Sequence, residues 1–480
     1  MPSPSGDEGD KSMSDADLAY TPATELAEMI RLKKISPVEL VDLYASRIEE
    51  LNPKLNAYLT LTIDRAREEA EAAEARVNGD DLPPFHGVPI SIKDLNDTAG
   101  VRTTHGTAAF HDRIPDRDEE VVARIRKAGF IMLGKTNTPE FGTTPWTEPI
   151  AYGPARNPWD TERTPGGSSG GAAAALAAGL CPISQGSDGG GSIRIPSSVC
   201  GLFGIKPSRG RVSAAPGPQS FLSQDGPIAH TVADAAGLLD AIAGYATGDA
   251  WYAPPPDKPF SEEVGRSPGK LRISWSTRAE MDAVVAPGNK AAVEETAKLL
   301  AELGHDIVDA EPPTWPPDLI EAFLITWCVR SDCYQPMPPF ETLEPLNRAL
   351  IEVGRGYSAP QFERAQRSIQ VECRRLVAFF DDVDVVMTPT VAIPPPKVGT
   401  YHDPDNPLME FLAAGNFVPF TPAWNTTGQP AVSIPLHWDE HGLPVGVQLV
   451  GRPGAEATLI RLSAQLEEAR PWSDKRPAVS

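Results

Sequence analysis

Residues 166–196 read GGSSGGAAAALAAGLCPISQGSDGGGSIRIP and place two glycine-serine clusters on either side of a small-residue segment. The segment 170–178 consists of glycine, alanine and leucine, and Gly179 follows it as a typical helix C-cap residue. This pattern predicts a helix that can pack very closely against a sheet or another backbone. The two clusters, GGSSGG at 166–171 and GGGS at 189–192, are the candidates for a functional site.

The glycine clusters favour a site that works through backbone amides. Consecutive glycines permit positive φ and let a ligand approach the main chain, at an entropic cost that an ordinary surface loop has no need of. The amides of Gly189, Gly190 and Gly191 directly precede Ser192, which suits an oxyanion hole around an adduct of that serine. A phosphate-binding loop and a flexible linker are the alternatives. Neither cluster has GxxxxGK[ST] or GxGxxG spacing.

A nucleophilic serine needs a base, and no histidine lies in or near either cluster. A lysine can serve when burial and neighbouring charges keep its amine neutral. Lys93 ends the apolar run VPISI at 88–92, which predicts that it lies at the buried end of a strand. Most lysines are solvated surface charges, and that alternative stays open on this feature alone.

The rest of the chain alternates short apolar runs with amphipathic segments, which indicates an α/β fold with a parallel or mixed sheet. A helix is predicted from Pro37, with Ser36 as N-cap and Glu39 completing a capping box. The other predicted helices are 63–77, 119–129, 288–303 and 455–469, and the predicted strands are 87–93, 130–137, 271–276, 384–389, 431–436 and 444–450.

Composition excludes several classes of protein. The chain has 480 residues, 41% of them hydrophobic and 22% charged, which is typical of a globular protein. Its net charge of −22 repels nucleic acid and anionic membranes. No run approaches the ~18–20 apolar residues of a membrane span. The acidic N-terminus differs from a signal peptide, so we expect a cytoplasmic protein with no nucleic-acid or membrane partner.

Five cysteines without CxxC spacing favour reduced thiols over a disulfide framework. The eight histidines are scattered along the chain, and no further histidine lies near the one HxxxH pair, His437 and His441. We therefore expect no metal site and no cofactor.

Three segments together resemble the amidase signature family of serine hydrolases. They are GVPISIKD at 87–94, GGSSGG at 166–171 and GSDGGGSIRIP at 186–196, and further similar segments are LGKTNTPEF at 133–141, DVVMTPT at 384–390 and NTTGQPAVSIP at 425–435. The spacing from Lys93 to Ser168 to Ser192 also matches. The resemblance covers roughly 20–470 and implies one large domain with a central twisted mixed sheet covered by helices on both faces.

The resemblance implies a catalytic triad. Ser192 would be the nucleophile, Ser168 the bridging serine in a cis peptide and Lys93 the terminal base. The amides of Gly189, Gly190, Gly191 and Ser192 would hold the oxyanion, and an acyl-enzyme would form without a metal or cofactor.

Supporting roles are implied for Ser169 and Asp188. Arg194 would pair with Asp188, either as part of the site or as a plain structural ion pair. Ser187 and Gly189 occupy positions where the family often has threonine. The missing side chain at Gly189 would loosen the loop or widen the cleft.

The expected function is hydrolysis of a small, fairly apolar amide, aryl amides included, with esters or carbamates as further substrates. Aromatic residues are dense in 310–425, which suits either core packing or a substrate pocket, and Trp327, Phe141 and Trp424 are the candidate pocket residues. The alternative is the catalytic subunit of a glutamine-dependent tRNA amidotransferase, against which the charge of −22 speaks. A monomer or a homodimer is expected.

The expected organisation is a disordered leader at 1–15 followed by one domain at 16–480. Within it, 16–80 would form N-terminal helices, 81–250 the catalytic core motifs and 310–425 a variable cap over the substrate pocket.

Overall fold

The computed structural model describes residues 14–79, 81–279 and 282–480. These residues form a sheet of eleven strands in the order β1-β3-β2-β4-β6-β5-β10-β11-β9-β7-β8. The strands are β1 Tyr58–Leu61, β2 Pro89–Lys93, β3 Ile131–Thr136, β4 Ile183–Asp188, β5 Phe203–Lys206, β6 Gln224–Ala229, β7 Arg272–Trp275, β8 Asp306–Val308, β9 Val385–Pro389, β10 Ala431–Trp438 and β11 Pro444–Gly451.

The sheet is mixed, as the sequence predicts. Strand β2 runs parallel to both β3 and β4, and β7 runs parallel to β8 and β9. The pairs around β6, β5, β10 and β11 are antiparallel. Because β2 and β4 are parallel, their carboxyl ends, Lys93 and Asp188, lie at the same edge of the sheet.

Helices alternate with the strands along the chain. They are α1 Asp15–Ala19, α2 Ala23–Arg31, α3 Pro37–Leu55, α4 Ile63–Arg76, α5 Glu120–Lys127, α6 Gly170–Ala177, α7 Arg194–Cys200, α8 Val232–Ile242, α9 Pro287–Glu302, α10 Pro317–Ser331, α11 Pro345–Arg355, α12 Ala359–Ala378, α13 Pro407–Phe417, α14 Ala423–Thr427 and α15 Glu456–Ala469. Every predicted helix and strand is present, with ends within a few residues of those expected.

Local sequence explains how the helices next to the site begin and pack. Ser36 caps α3 and forms the predicted capping box with Glu39. Helix α6 lies so close to its neighbours that a Cβ at Gly171 would overlap the backbone of Asn137. The small residues of α6 therefore permit the close packing that the sequence predicts.

The N-terminal leader predicted at 1–15 lies almost entirely outside the described residues. The last two residues of the predicted leader, Ser14 and Asp15, form the N-cap and the first residue of helix α1. No helix in the described ranges is long and apolar enough to cross a membrane.

Helices α10 to α13 of the segment 310–425 form a helical layer, whereas β9 of the same segment belongs to the central sheet. Helices α10 and α12 pack together through the buried residues Leu319, Ala322 and Ile369. A second small cluster joins Cys328 of α10 to Leu346 and Leu350 of α11, with Phe411 of α13 packed against it. This layer supplies one wall of the cavity described below.

Candidate active site

Lys93 is fully buried at the end of β2. Its Nζ lies 2.7 Å from Ser168 Oγ and 3.1 Å from Ser187 Oγ. The Lys93 backbone amide donates to Gln185 Oε1, which fixes the strand end at 3.1 Å. The solvated alternative for this lysine is therefore wrong, and the buried strand end predicted from VPISI is confirmed.

Burial sets the protonation of Lys93. Removal from water lowers its pKa to about 7, although the carboxylates of Asp225 and Asp188 oppose this by favouring the cation. Burial also raises the pKa of Asp225 to about 6. At neutral pH a large fraction of Lys93 is thus an uncharged amine with a free lone pair.

The segment that carries Ser168 contacts the segment that carries Ser192 through the neighbouring residue Ser169. The peptide bond between Gly167 and Ser168 is cis, and the Ser169 amide donates to Ser192 O at 3.3 Å. Ser168 is 2% exposed, whereas Ser192 is 7% exposed and lines a cavity. Within the described ranges, no hydrogen bond engages Ser192 Oγ, so this hydroxyl is the one that faces an incoming molecule.

The loop 189–192 joins β4 to α7 and is pinned by its carbonyl groups. Gly190 O accepts from Thr421 Oγ1 at 2.6 Å, and Gly191 O accepts from the Ile195 amide at 2.7 Å. Among the described residues, no acceptor takes the amide protons of Gly189, Gly190 or Ser192. These three N–H groups are available to a bound oxyanion.

Gly191 does not fit the predicted hole in the same way. Its amide donates to Asp188 Oδ1 at 2.8 Å and is therefore occupied. Its φ is 132°, and a Cβ there would overlap Thr421 Oγ1 and Ile195 Cδ1. Glycine at 191 serves the turn itself, and the sequence prediction that assigned its amide to the oxyanion is corrected.

Asp188 holds this loop through a buried ion pair. Its carboxylate receives Arg194 Nε and Nη2, both at 2.9 Å, and both side chains are fully buried. The Arg194 guanidinium keeps the pKa of Asp188 well below its usual range despite burial. The expected pairing of Asp188 with Arg194 is present, and it braces the turn that carries Ser192.

Ser169 lies behind the lysine. Its Oγ donates to Ser187 O at 3.2 Å and accepts from the Ser187 amide at 3.3 Å. Since Ser187 in turn contacts Lys93 Nζ, Ser169 fixes the surroundings of the amine. The resemblance led us to expect threonine at position 187. Ser187 also has a hydroxyl, and this hydroxyl contacts the Lys93 amine.

A largely apolar cavity of about 120 Å³ opens above Ser192. Its walls come from α10, α13 and the segment 142–145: Gly142, Thr143, Thr144, Pro145, Gly190, Ile195, Phe323, Leu324, Trp327, Phe411, Leu412, Ala414, Gly415, Val418 and Pro422. The indole of Trp327 lies 3.7 Å from where a Cβ on Gly190 would stand. Of the three predicted pocket residues, Trp327 is therefore at the cavity.

Phe141 and Trp424 lie elsewhere. Phe141 stacks on Tyr334, with ring centroids 4.3 Å apart, in a small core with Phe110. Trp424 packs edge-on against Phe380 on the other side of α14. Both are core residues, so the structure does not place them at the cavity, although their neighbours Gly142 and Pro422 line it.

Several residues that contact the loop 189–192 or its flanking residues lie far from it along the chain and were not predicted from the sequence. Asn425 Nδ2 donates to Asp188 O at 2.8 Å, and Gln448 Oε1 accepts from Arg194 Nη1 at 2.6 Å. Thr421 contacts Gly190, as described above. The segment FTPAWNTTG at 420–428 was the sequence signal available for these residues. The residues that Thr421 and Asn425 contact are known only from the fold.

In the described ranges, no group of histidine, cysteine, aspartate and glutamate side chains has the arrangement of a metal site.

Comparison with known proteins places this chain in a family. The family model described as Amidase matches residues 39–460. The Mycobacterium tuberculosis protein named "Putative amidase AmiB2" is 44% identical over 474 residues, covering 98% of this chain and 100% of that protein.

Two solved structures are similar over nearly their whole lengths. The structure of 6-aminohexanoate cyclic dimer hydrolase has a TM-score of 0.89 and 32% identity, and covers 96% of this chain and 99% of its own. A bacterial aryl acylamidase has a TM-score of 0.84 and 27% identity, with 95% and 97% covered. The chain therefore belongs to the amidase signature family and is a hydrolase that acts on amide carbon–nitrogen bonds.

Proposed function

We propose that this protein hydrolyses small, uncharged amides with an apolar or aryl group, using Ser192 as nucleophile, Ser168 as proton bridge and Lys93 as base. The observation that carries the proposal is the 2.7 Å contact between Lys93 Nζ and Ser168 Oγ in a fully buried setting. Ser192, whose carbonyl accepts from the Ser169 amide at 3.3 Å, lines an apolar cavity.

The attack begins with neutral Lys93. Its lone pair accepts the Ser168 proton while Ser168 Oγ takes the proton of Ser192. Ser192 Oγ then forms a bond to the amide carbon, and the carbonyl electron pair moves to oxygen. The amides of Gly189, Gly190 and Ser192 are the donors for this oxyanion.

The relay then runs in reverse. The Lys93 ammonium returns its proton through Ser168 to the amide nitrogen, the carbon–nitrogen bond breaks and the amine leaves. An acyl ester remains on Ser192 Oγ. A water molecule next gives its proton to the same relay and attacks the ester carbon; the bond to Ser192 Oγ breaks, Ser192 regains a proton and a carboxylic acid leaves.

The cavity supports an apolar substrate group. Phe323, Trp327 and Phe411 line it, and none of the described residues that line it is charged. An ammonium or carboxylate group on this side of the scissile bond would lose its hydration without gaining a partner. The similarity to an aryl acylamidase and to 6-aminohexanoate cyclic dimer hydrolase fits a neutral amide. Esters and carbamates of the same shape would follow the same path.

The test is hydrolysis by the purified chain alone. We expect it to cleave an anilide or a cyclic diamide without partner proteins or RNA, and Ser192→Ala to lower kcat by at least about a thousandfold because the acyl acceptor is lost. The panel should contain aliphatic amides, anilides, carbamates and p-nitrophenyl esters.

Ser198→Ala is the matched control, since Ser198 is a buried serine of α7 whose hydroxyl accepts from the Gly446 amide, away from the cavity. Turnover in Ser192→Ala above about a tenth of the wild-type value would contradict the nucleophile assignment. Activity only with added glutamine, tRNA and partner chains would instead favour the amidotransferase alternative.

A further inference from the structure

The Gly190–Gly191 peptide is held at both of its polar ends by side chains. Its carbonyl oxygen accepts from Thr421 Oγ1 at 2.6 Å, and its N–H donates to Asp188 Oδ1 at 2.8 Å. Both flanking residues are glycines, so few steric barriers would otherwise stop this peptide from flipping. Side-chain contacts, rather than backbone sterics, therefore keep it in place.

This peptide lies between the two peptides whose N–H groups would bind an oxyanion. The preceding peptide carries the Gly190 N–H, and the following one carries the Ser192 N–H, both of which lack an acceptor within the described chain. A change in ψ of Gly190 that φ of Gly191 does not compensate, or the reverse, would turn these two donors relative to each other. The orientation of the middle peptide thus decides whether they converge on one oxygen.

The Thr421 hydroxyl contacts the Gly190 carbonyl and not the cavity. Thr421 is fully buried, and it does not line the cavity above Ser192. Its own carbonyl accepts from Arg194 Nη1 at 3.0 Å, so its main chain is fixed by the same guanidinium that binds Asp188. The main chain of Thr421 and the carboxylate of Asp188 are therefore held by one common partner, Arg194.

Resting on the function proposed above, we infer that Thr421 is a positioning residue: its hydroxyl fixes the Gly190–Gly191 peptide so that the amides of Gly190 and Ser192 point at the oxyanion. Thr421 touches neither the substrate nor the nucleophile. Loss of the Thr421 hydroxyl reduces the stabilisation of the transition state and leaves binding of the substrate in the ground state unchanged.

The variant Thr421→Val keeps the shape and removes the donor. Removing an oxyanion donor outright costs about 100- to 1000-fold in kcat, and we expect about 10- to 30-fold here because the amides remain but are less well aligned. KM should stay within about twofold. Thr421→Ser, which restores the hydroxyl, should recover most of kcat.

A boronic acid supplies a second measurement. Ser192 Oγ bonds to the boron of phenylboronic acid, its proton passes to Lys93 through Ser168, and one boron hydroxyl takes the oxyanion position. We expect the dissociation constant, followed by tryptophan fluorescence, to rise in Thr421→Val by about the same factor as kcat falls. Thr426→Val is the matched control, since its hydroxyl donates to Ala423 O at 2.7 Å within α14.

Different results would contradict the inference about Thr421 and the proposed function. Wild-type boronate affinity in Thr421→Val, or a loss in Thr421→Ser as large as in the valine variant, would overturn the inference. A wild-type chain that cleaves no amide would contradict the proposed function, while the boronate titration would still compare the variants. Thr421→Ala carries the same comparison if the valine variant melts below the assay temperature.

Discussion

The protonation of one residue, Lys93, sets the pH range in which the site can work. Below its pKa of about 7 the amine carries a proton and has no lone pair for Ser168. We therefore expect kcat/KM to rise about tenfold per pH unit below pH 7 and to level off above it. Measurement of kcat/KM from about pH 5 to about pH 9 checks this.

Two variants identify the group that titrates. Lys93→Met keeps the length of the side chain without a base, so the rising limb should vanish with most of the activity. Asp225→Asn removes a negative charge that favours the lysine cation, so its limb should move to lower pH. An unchanged profile in Lys93→Met would assign the base role to a carboxylate.

Helix α10 is the element that shapes the cavity, through Trp327. Trp327→Ala should lower kcat/KM for a bulky anilide by about 10- to 100-fold, since burial of an aromatic group contributes about 1.5–3 kcal/mol. A small aliphatic amide should change by less than about threefold. A substrate series of increasing size, assayed in both proteins, measures the difference.

Trp251 supplies the control, because it is 39% exposed and lies outside the cavity. Trp251→Ala should keep the wild-type ranking of substrates. An equal loss for small and bulky amides in Trp327→Ala would mean that the indole only packs the helical layer.

The elements themselves were largely predictable from sequence, because their signals are local. The Ser36 capping box, the apolar run before Lys93 and the alanines of α6 each specify structure within a few residues. The glycine clusters and Lys93 likewise indicated one site. Local patterns are sufficient when a residue's partners lie in its own element or motif.

The remaining features of the site depend on contacts between distant segments. Thr421 meets Gly190 across 231 positions, and nothing local marks that pairing. The density of aromatic residues indicates a helical layer but not which of its side chains face the cavity. Of the three predicted pocket residues, Trp327 lines the cavity, whereas Phe141 and Trp424 pack in small cores. The amide of Gly191 was misassigned because its acceptor, Asp188, is found only once the turn is folded.

Across the whole molecule, buried carboxyl groups make stability depend on pH. A second cavity of about 310 Å³ is lined by Glu140, Glu148, Glu344 and Glu410. Burial and the nearby Glu140 raise the pKa of Glu344 to about 8. The folded state therefore holds a proton that the unfolded chain loses between about pH 4.5 and 8, and the contribution of Glu344 to stability falls as pH rises through that window.

Glu344→Gln removes this titration and keeps an oxygen for the Ile150 amide, which now donates to Glu344 Oε1 at 2.6 Å. We expect its Tm to equal that of the wild type near pH 4.5 and to exceed it by about 1–3 °C at pH 8.5. The exposed Glu341→Gln is the control. A lower Tm than wild type at pH 8.5 would show that Glu344 is ionised without cost.

The position of β10 in the sheet has a consequence for synthesis on the ribosome. Strand β10, residues 431–438, lies between β5 and β11. It therefore connects the part of the sheet formed by β1 to β6 with β11, β9, β7 and β8. Until these residues leave the exit tunnel, β5 presents an unpaired edge of the kind that promotes aggregation. Thr421 and Asn425 also follow the glycine loop by more than 200 residues, so a nascent chain can fix this loop only after they have emerged. We expect its dependence on chaperones to be greatest between the emergence of β5 and that of β10.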